Sequence, residues 1–328
     1  MPEELPPPQA IRQGRRERVR AAYRGLTPNL QGALWMLASA IGFTAMTSMI
    51  KVLGSDYPAA LQTFYRSAAG LVILLPMILR DVKGTFRTNR LGILLFRSGA
   101  GTVAMILSFY AFQKLPLAEA NALSFTRTLW LVPLAFFILR ESLGIWRIGA
   151  ALVGFIGVCV MLATGFAAGG HGFGMAQFAA LASAALFAMT ITGMKVMTRD
   201  HSPFTLLVYA AVLGVAFAIP PALFVWAWPT PFDFMLLCIM GILGTITQAC
   251  YIKGMQVGDA AAMAPIDYTR LVFTAFIGFV VFHEVPGWAT LLGAAIVVAS
   301  TLVITWREQR AGKLEREMKE RELDQPAN

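Results

Sequence analysis

Ten apolar runs, each on the order of 20 residues, follow one another through most of this chain, separated by short polar links. They cover residues 30–53, 59–79, 91–112, 118–139, 145–164, 173–197, 204–227, 232–253, 260–282 and 288–306. A helix rising 1.5 Å per residue needs about 20 residues to cross the hydrocarbon of a bilayer. Inside that hydrocarbon every backbone polar group must be satisfied within the protein, which leaves helices or closed barrels. Runs of this length predict helices. The composition agrees: 57% hydrophobic and 14% charged residues lie far from the roughly 45–50% and 25% of soluble domains. The predicted fold class is all-α integral membrane, with ten transmembrane helices.

The formal charge of +9 lies in the tail and the links. Arg12, Arg15, Arg16, Arg18, Arg20 and Arg24 fill a leading segment with no apolar periodicity. With that tail in the cytoplasm, cytoplasmic links carry Arg80, Lys83, Arg87, Arg90, Arg140, Arg147, Lys195, Arg199 and Lys253, against Lys51 and Lys114 outside. This bias predicts a multi-pass protein of the cell inner membrane with both termini cytoplasmic, and it accounts for the basic balance without nucleic acid. Ala38-Ser39-Ala40 looks like a cleavage site, but the apolar run continues well past it. Lys51 and Lys195 read as snorkelling anchors at helix ends. The closing segment alternates charge at helical spacing, as with Glu315 and Lys319, and predicts a short solvated helix.

The chain also repeats itself. Thr126-Arg127 meets Thr269-Arg270, Glu141 meets Glu284, Gly144 meets Gly287, and Gly101-Thr102 meets Gly244-Thr245. Each pair keeps one offset of 143 residues, the difference between Arg127 and Arg270. Ala45-Met46-Thr47 matches Ala188-Met189-Thr190 at the same offset, and Ile50-Lys51-Val52 matches Met194-Lys195-Val196 after one insertion. Each half holds five spans, an odd number, so the second half enters the membrane from the opposite face. Two inverted repeats follow, the plan of many secondary transporters. The predicted organisation is a basic cytoplasmic tail (1–29), a first repeat (30–165), a second repeat (172–306) and a charged cytoplasmic tail (307–328).

Several motifs resemble the drug/metabolite transporter superfamily, specifically its ten-helix EamA type, over roughly residues 32–307. They are Leu115-Pro116-Leu117-Ala118-Glu119-Ala120, Arg140-Glu141, Phe64-Tyr65-Arg66, Phe96-Arg97, Ala264-Pro265-Ile266-Asp267-Tyr268-Thr269-Arg270-Leu271-Val272-Phe273 and His283-Glu284-Val285-Pro286. The resemblance implies a carrier of amino acids, vitamins or other metabolites. The tyrosine-threonine-arginine signature is similar to that of S-adenosylmethionine and riboflavin carriers. The family often has proline in the middle of span four, where this chain reads Thr128, with Pro133 further on.

Arg66, Arg97, Arg127 and Arg270 fall near the middle of their spans. An arginine at a helix centre costs roughly 2.5–3.5 kcal/mol on the insertion scale, so four facing lipid would cost on the order of 10–14 kcal/mol. They are expected to line a hydrated cavity, where a guanidinium offers a bidentate fork to a carboxylate or phosphate. Arg127 is the leading solute ligand, because no carboxylate lies within a turn of it. Asp267 and Arg270 are one turn apart and read equally well as a structural pair. Arg66 and Arg97 could instead be latched to helix ends or to Glu119. Tyr65, Trp130, Tyr268 and Gln248 could stack on or hydrogen-bond a ring or amide, as could Phe109, Tyr110 and Tyr251. Glu119, at the head of span four, is expected to complement free helix amides, with proton coupling the sharper reading; Asp267 is the other coupling or pairing candidate. Four arginines favour an anionic solute, and S-adenosylmethionine, which carries an additional cation, would need Asp267 or an aromatic face nearby.

Other functions find little support. His283-Glu284 opens like a zinc-protease motif, but Gly287 stands where the second histidine belongs. No GxxxxGK[ST] loop is present, and neither the histidines His171, His201 and His283 nor the cysteines Cys159, Cys238 and Cys250 are clustered. The expected protein is not an enzyme, has no cofactor or metal, and contacts a small-molecule solute and the bilayer. A channel would use polar mid-membrane residues too, but mirrored halves and a glycine-rich interior favour alternating access. Gly149, Gly154, Gly157 and Gly293 mark spans five and ten as a scaffold, or as the contact of a homodimer if the protein is not a monomer.

Overall fold

The computed structural model describes residues 26–54, 56–79, 91–139, 145–167, 174–197, 203–258, 263 and 266–324. The arginines of the leading tail, together with Arg80, Lys83, Arg87, Arg90, Arg140, Glu141, Gly144, His171, Arg199, His201, Ala264 and Pro265, lie outside the described residues. The helices, in chain order, are α1 (Pro28–Leu53), α2 (Ala59–Ile78), α3 (Leu91–Lys114), α4 (Leu117–Ser124), α5 (Arg127–Leu139), α6 (Ile145–Ala167), α7 (Met175–Met197), α8 (Pro203–Phe224), α9 (Pro231–Val257), α10 (Thr269–Phe282) and α11 (Trp288–Asp324). Each predicted span contains one of them, except the fourth, which is divided into α4 and α5. α11 carries the tenth span onward through the charged segment as one continuous helix.

Local chemistry sets the helix ends. Thr27 accepts a hydrogen bond from the Leu30 amide and Pro28 opens α1, a position where the missing N–H costs nothing. Thr230 does the same for α9, accepting from the Asp233 amide. Along the outside of the bundle stand large apolar side chains such as Val72, Phe137, Phe224, Val272 and Phe279, a surface suited to acyl chains.

The two repeats interlock through matched contacts. Ser39 on α1 donates to the Thr247 carbonyl of α9 at 3.0 Å, and Ser183 on α7 donates to the Ala104 carbonyl of α3 at 2.7 Å. The acceptors differ by the repeat offset of 143 residues, and the donors by 144 (183 against 39), one residue from it. Span one thus lies on span eight as span six lies on span three, the relation an inverted repeat requires.

Spans five and ten, α6 and α11, pack closely within the one chain. A Cβ on Gly157 would stand 2.8 Å from Ile296 and 2.9 Å from the Gly293 carbonyl, and one on Gly154 would meet Leu129 and Ser300. A Cβ on Gly293 would collide with Met161 and the Gly157 carbonyl. These glycines are therefore used in intrachain packing. Gly149, where an added Cβ would meet nothing within 4 Å, has no such part. Gly157→Leu is expected to destabilise the fold by at least about 1–3 kcal/mol, since backbone cannot move aside as a side chain can. Gly149→Leu should be silent. Thermal unfolding of the purified protein in detergent, followed by its monodisperse fraction, compares the two.

At one end of the bundle the α1–α2 link is clasped to repeat two. The Tyr57 hydroxyl donates to Asp233 at 2.8 Å, and Gln62 and Gln113 both donate to the Tyr57 carbonyl at 3.0 Å. The Asp233 carboxylate, accepting that hydroxyl hydrogen bond, holds the Tyr57 phenol above its usual range. At the opposite end Arg307 lies over the Trp146 ring at 5.0 Å, joining the start of α6 to the end of the tenth span.

Candidate functional site

The fourth and ninth spans break at repeat-related positions. Between α4 and α5 the chain turns at Phe125-Thr126, and Tyr268 interrupts the ninth span before α10, 143 residues later. Thr126 Oγ1 donates to the Leu123 carbonyl at 2.6 Å, and Thr269 Oγ1 donates to the Ile266 carbonyl at 2.7 Å. In both places amides bond three residues back, Leu129 to Thr126 and Leu271 to Tyr268. A hydroxyl competing for a carbonyl loosens the regular ladder, so the fourth span breaks without proline, while in the sequence of the ninth Pro265 stands three residues before Tyr268. Pro133 lies inside α5, away from the break.

The two breaks face each other. Asp267 Oδ2 is 3.7 Å from Arg127 Nη2 and 3.9 Å from Arg270 Nη2. Both separations exceed hydrogen-bond length, so the carboxylate balances charge without occupying the donors. The Arg270 guanidinium is sandwiched between the Phe125 ring at 4.2 Å and the Phe43 ring at 4.8 Å. Tyr268 packs against Phe125 with the rings tilted by 49° and centroids 4.5 Å apart, and its hydroxyl is hydrogen-bonded to Thr301. Arg270 is 6% exposed, yet its Nε and Nη2 have no hydrogen-bond partner. Two guanidiniums against one carboxylate leave a net positive charge, walled by aromatic faces and holding idle donors. That combination suits an anionic group attached to a ring or apolar body.

The remaining sequence-predicted residues divide. Arg66 donates to the Met105 sulfur at 3.3 Å, while its buried Nε has no partner and lies beside the spot a Cβ on Gly244 would fill. That same spot adjoins Met46, one turn along α1 from Phe43, so Arg66 and Arg270 both bear on one face of α1. Arg97 Nε is buried and unpartnered. Trp130 packs edge-on against Phe155 at 5.1 Å, its indole N–H also unpartnered. Tyr65 belongs to an aromatic cluster with Phe64, Trp226 and Phe234 where α2 meets the α8–α9 link. Gln248 is on the exposed face of α9, and the inward-turned polar neighbour is Thr247, 8% exposed.

Two charged residues have other roles than expected. Lys51 is no snorkelling anchor: it forms an ion pair with Glu284 and donates to the Leu115 carbonyl at 2.6 Å. Glu119 does not supply the cap of α4, because the Leu117 amide donates to Glu284 Oε2 at 2.8 Å. Glu119 instead accepts from Gln177 at 3.3 Å. No cluster of metal-ligating residues occurs among the described residues, and the three cysteines are free, with Cys159 on the exposed surface and not in the core.

Ten spans in mirrored halves, with broken helices meeting at a charged centre, define a membrane transporter. The chain belongs to the EamA-like transporter family, which it matches over residues 30–163 and 174–306. It is a transporter, not an enzyme. It is 30% identical over 281 residues to an S-adenosylmethionine uptake transporter of Rickettsia bellii, covering 85% of this chain and 95% of that protein. A riboflavin transporter of Vibrio cholerae is 29% identical over 292 residues, covering 88% and 97%. Solute carrier family 35 member G1 of Mus musculus is 27% identical over 312 residues, covering 91% and 84%. A crystal structure with 21% identity shares the fold, at a TM-score of 0.55 over 84% of this chain and 98% of the other.

Proposed function

We propose that the protein is a secondary carrier of the cell inner membrane, with both tails cytoplasmic. It moves a small metabolite bearing an anionic group and an apolar or aromatic part by alternating access. The single observation that carries this reading is the meeting of Arg127, Asp267 and Arg270 at the two repeat-related helix breaks. A site on the axis between mirrored halves can be presented to either face as the halves exchange conformations. Asp267 supplies a counter-charge for the ammonium or sulfonium of a zwitterion, while Arg127 and Arg270 take the acid. The relatives named for S-adenosylmethionine and riboflavin make these two compounds the first probes. In proteoliposomes preloaded with unlabelled compound, labelled riboflavin or S-adenosylmethionine should enter by saturable counterflow. Linear flux that never saturates would count for a channel instead.

Proton coupling is assigned to Glu119. Asp267 is engaged by two guanidiniums, whereas Lys51, whose charge acts on Glu119, is already held by Glu284. An imposed proton gradient should drive net uptake or efflux in the native protein. Glu119→Gln should lose that response yet keep counterflow; equal responses in the two proteins would remove Glu119 from the coupling role.

A further inference from the structure

We propose that Lys51, Glu284 and the amino end of α4 form the outer gate of this carrier, closed in the present conformation. The proposal rests on the carrier reading above and adds the device that seals one side of it. Lys51 ends α1 in repeat one, and Glu284 follows α10 in repeat two, 233 residues away. Both carboxylate oxygens of Glu284 are used, Oε1 on Lys51 and Oε2 on the Leu117 amide at the start of α4. Pro116 gives that helix no side-chain cap, so the other repeat's carboxylate supplies it, at the positive end of the helix dipole. Lys51 also holds the Leu115 carbonyl, so the α3–α4 link is gripped from both sides.

The backbone is shaped for the contact. His283 adopts φ 55° and ψ 32°, the left-handed conformation that a residue with a side chain rarely takes. This folds the chain back, letting the Glu284 amide bond the Gly278 carbonyl at 2.9 Å and turning the carboxylate inward. A Cβ on Gly278 would lie 3.1 Å from Glu284 Oε2, so that glycine leaves the carboxylate its room. Left-handed backbone just past a helix, with an amide bonding six residues back, is the Schellman way of ending it, and here it sets the carboxylate at the contact with the Leu117 amide.

The position fits as well. Lys51 is eight residues beyond Phe43 on α1, which places the latch about 12 Å along that helix from the Arg270 guanidinium. The inter-repeat packing of α6 on α11 differs: those helices interlock at Gly157 and Gly293 and cannot part without opening voids, whereas the latch is polar and able to exchange its partners for water. The charges of both members of the pair act on Glu119, which accepts from the uncharged Gln177 of α7.

The test uses the full-length protein with Cys159, Cys238 and Cys250 replaced by serine and one reporter, Ser124→Cys. Ser124 is half-buried on α4, next to Phe125 and below the latch. A membrane-impermeant thiol reagent applied to the outer face measures how often the path to it opens. Lys51→Ala and Glu284→Gln should each raise the labelling rate about tenfold, the effect of some 1.4 kcal/mol on an open–closed equilibrium. The exchanged pair Lys51→Glu with Glu284→Lys restores the ion pair alone, because a lysine cannot accept from the Leu117 amide nor a glutamate donate to the Leu115 carbonyl, so labelling should fall only part of the way back. Unchanged labelling in folded single variants would overturn the gate. Labelling needs no solute, so a protein that opens on cue but shows no counterflow would indict the carrier reading alone.

Discussion

Proteoliposomes carrying Arg270→Ala are expected to lose counterflow by on the order of a hundredfold or more, while those carrying Arg127→Ala retain a weakened, higher-KM flux. The difference follows from burial. Arg270 is held between two aromatic rings with unpartnered donors, and truncating a desolvated charge that meets an anionic solute costs roughly 2–5 kcal/mol, with every 1.4 kcal/mol a factor of ten. Arg127 keeps 30% of its side chain exposed, so water replaces part of what it offers. Arg270→Lys should fail nearly as badly as alanine, because an ammonium cannot stack between Phe43 and Phe125 or present a planar fork. Counterflow at varied solute concentration, beside thermal unfolding to confirm intact protein, decides it. Full-rate transport by folded Arg270→Ala would remove this residue from the site.

What could be read from the chain and what could not divides by distance along it. Apolar run length delivered the spans because each is a local property, and the offset between Thr126-Arg127 and Thr269-Arg270 delivered the inverted halves. The split of the fourth span escaped a search for proline, since Thr126 does the same work by hydroxyl competition. The repeat itself carries the signal for that split: the paired threonines stand where both halves place a polar mid-span residue next to arginine. Arg127 had no carboxylate within a turn, but a residue near a two-fold axis also neighbours its mate's partners, and Asp267 reaches it from the other repeat. The pairing of Lys51 with Glu284 had no such signal. Nothing in either helix's periodicity distinguishes a lysine that snorkels from one that finds a carboxylate 233 residues away.

The structural and ligand readings of the arginine centre can be separated by removing its carboxylate. Asp267→Asn leaves Arg127 and Arg270, both within 4 Å of Asp267 Oδ2 at present, without the charge that offsets them. Deleting one partner of a buried ion pair costs about 3–5 kcal/mol, because the remaining charge stays desolvated. The aromatic sandwich around Arg270 recovers part of that through its π faces. A sharp fall in the unfolding temperature and in the yield of monodisperse protein is expected, larger than for Arg127→Ala. The double variant Asp267→Asn with Arg270→Gln restores neutrality at the buried position and should regain most of the lost stability, yet remain inactive in counterflow. Recovery of both stability and flux would mean that Asp267 and Arg270 neutralise each other and meet no solute. If Asp267→Asn is as stable as the native protein and transports normally, the three side chains do not form a working centre at all.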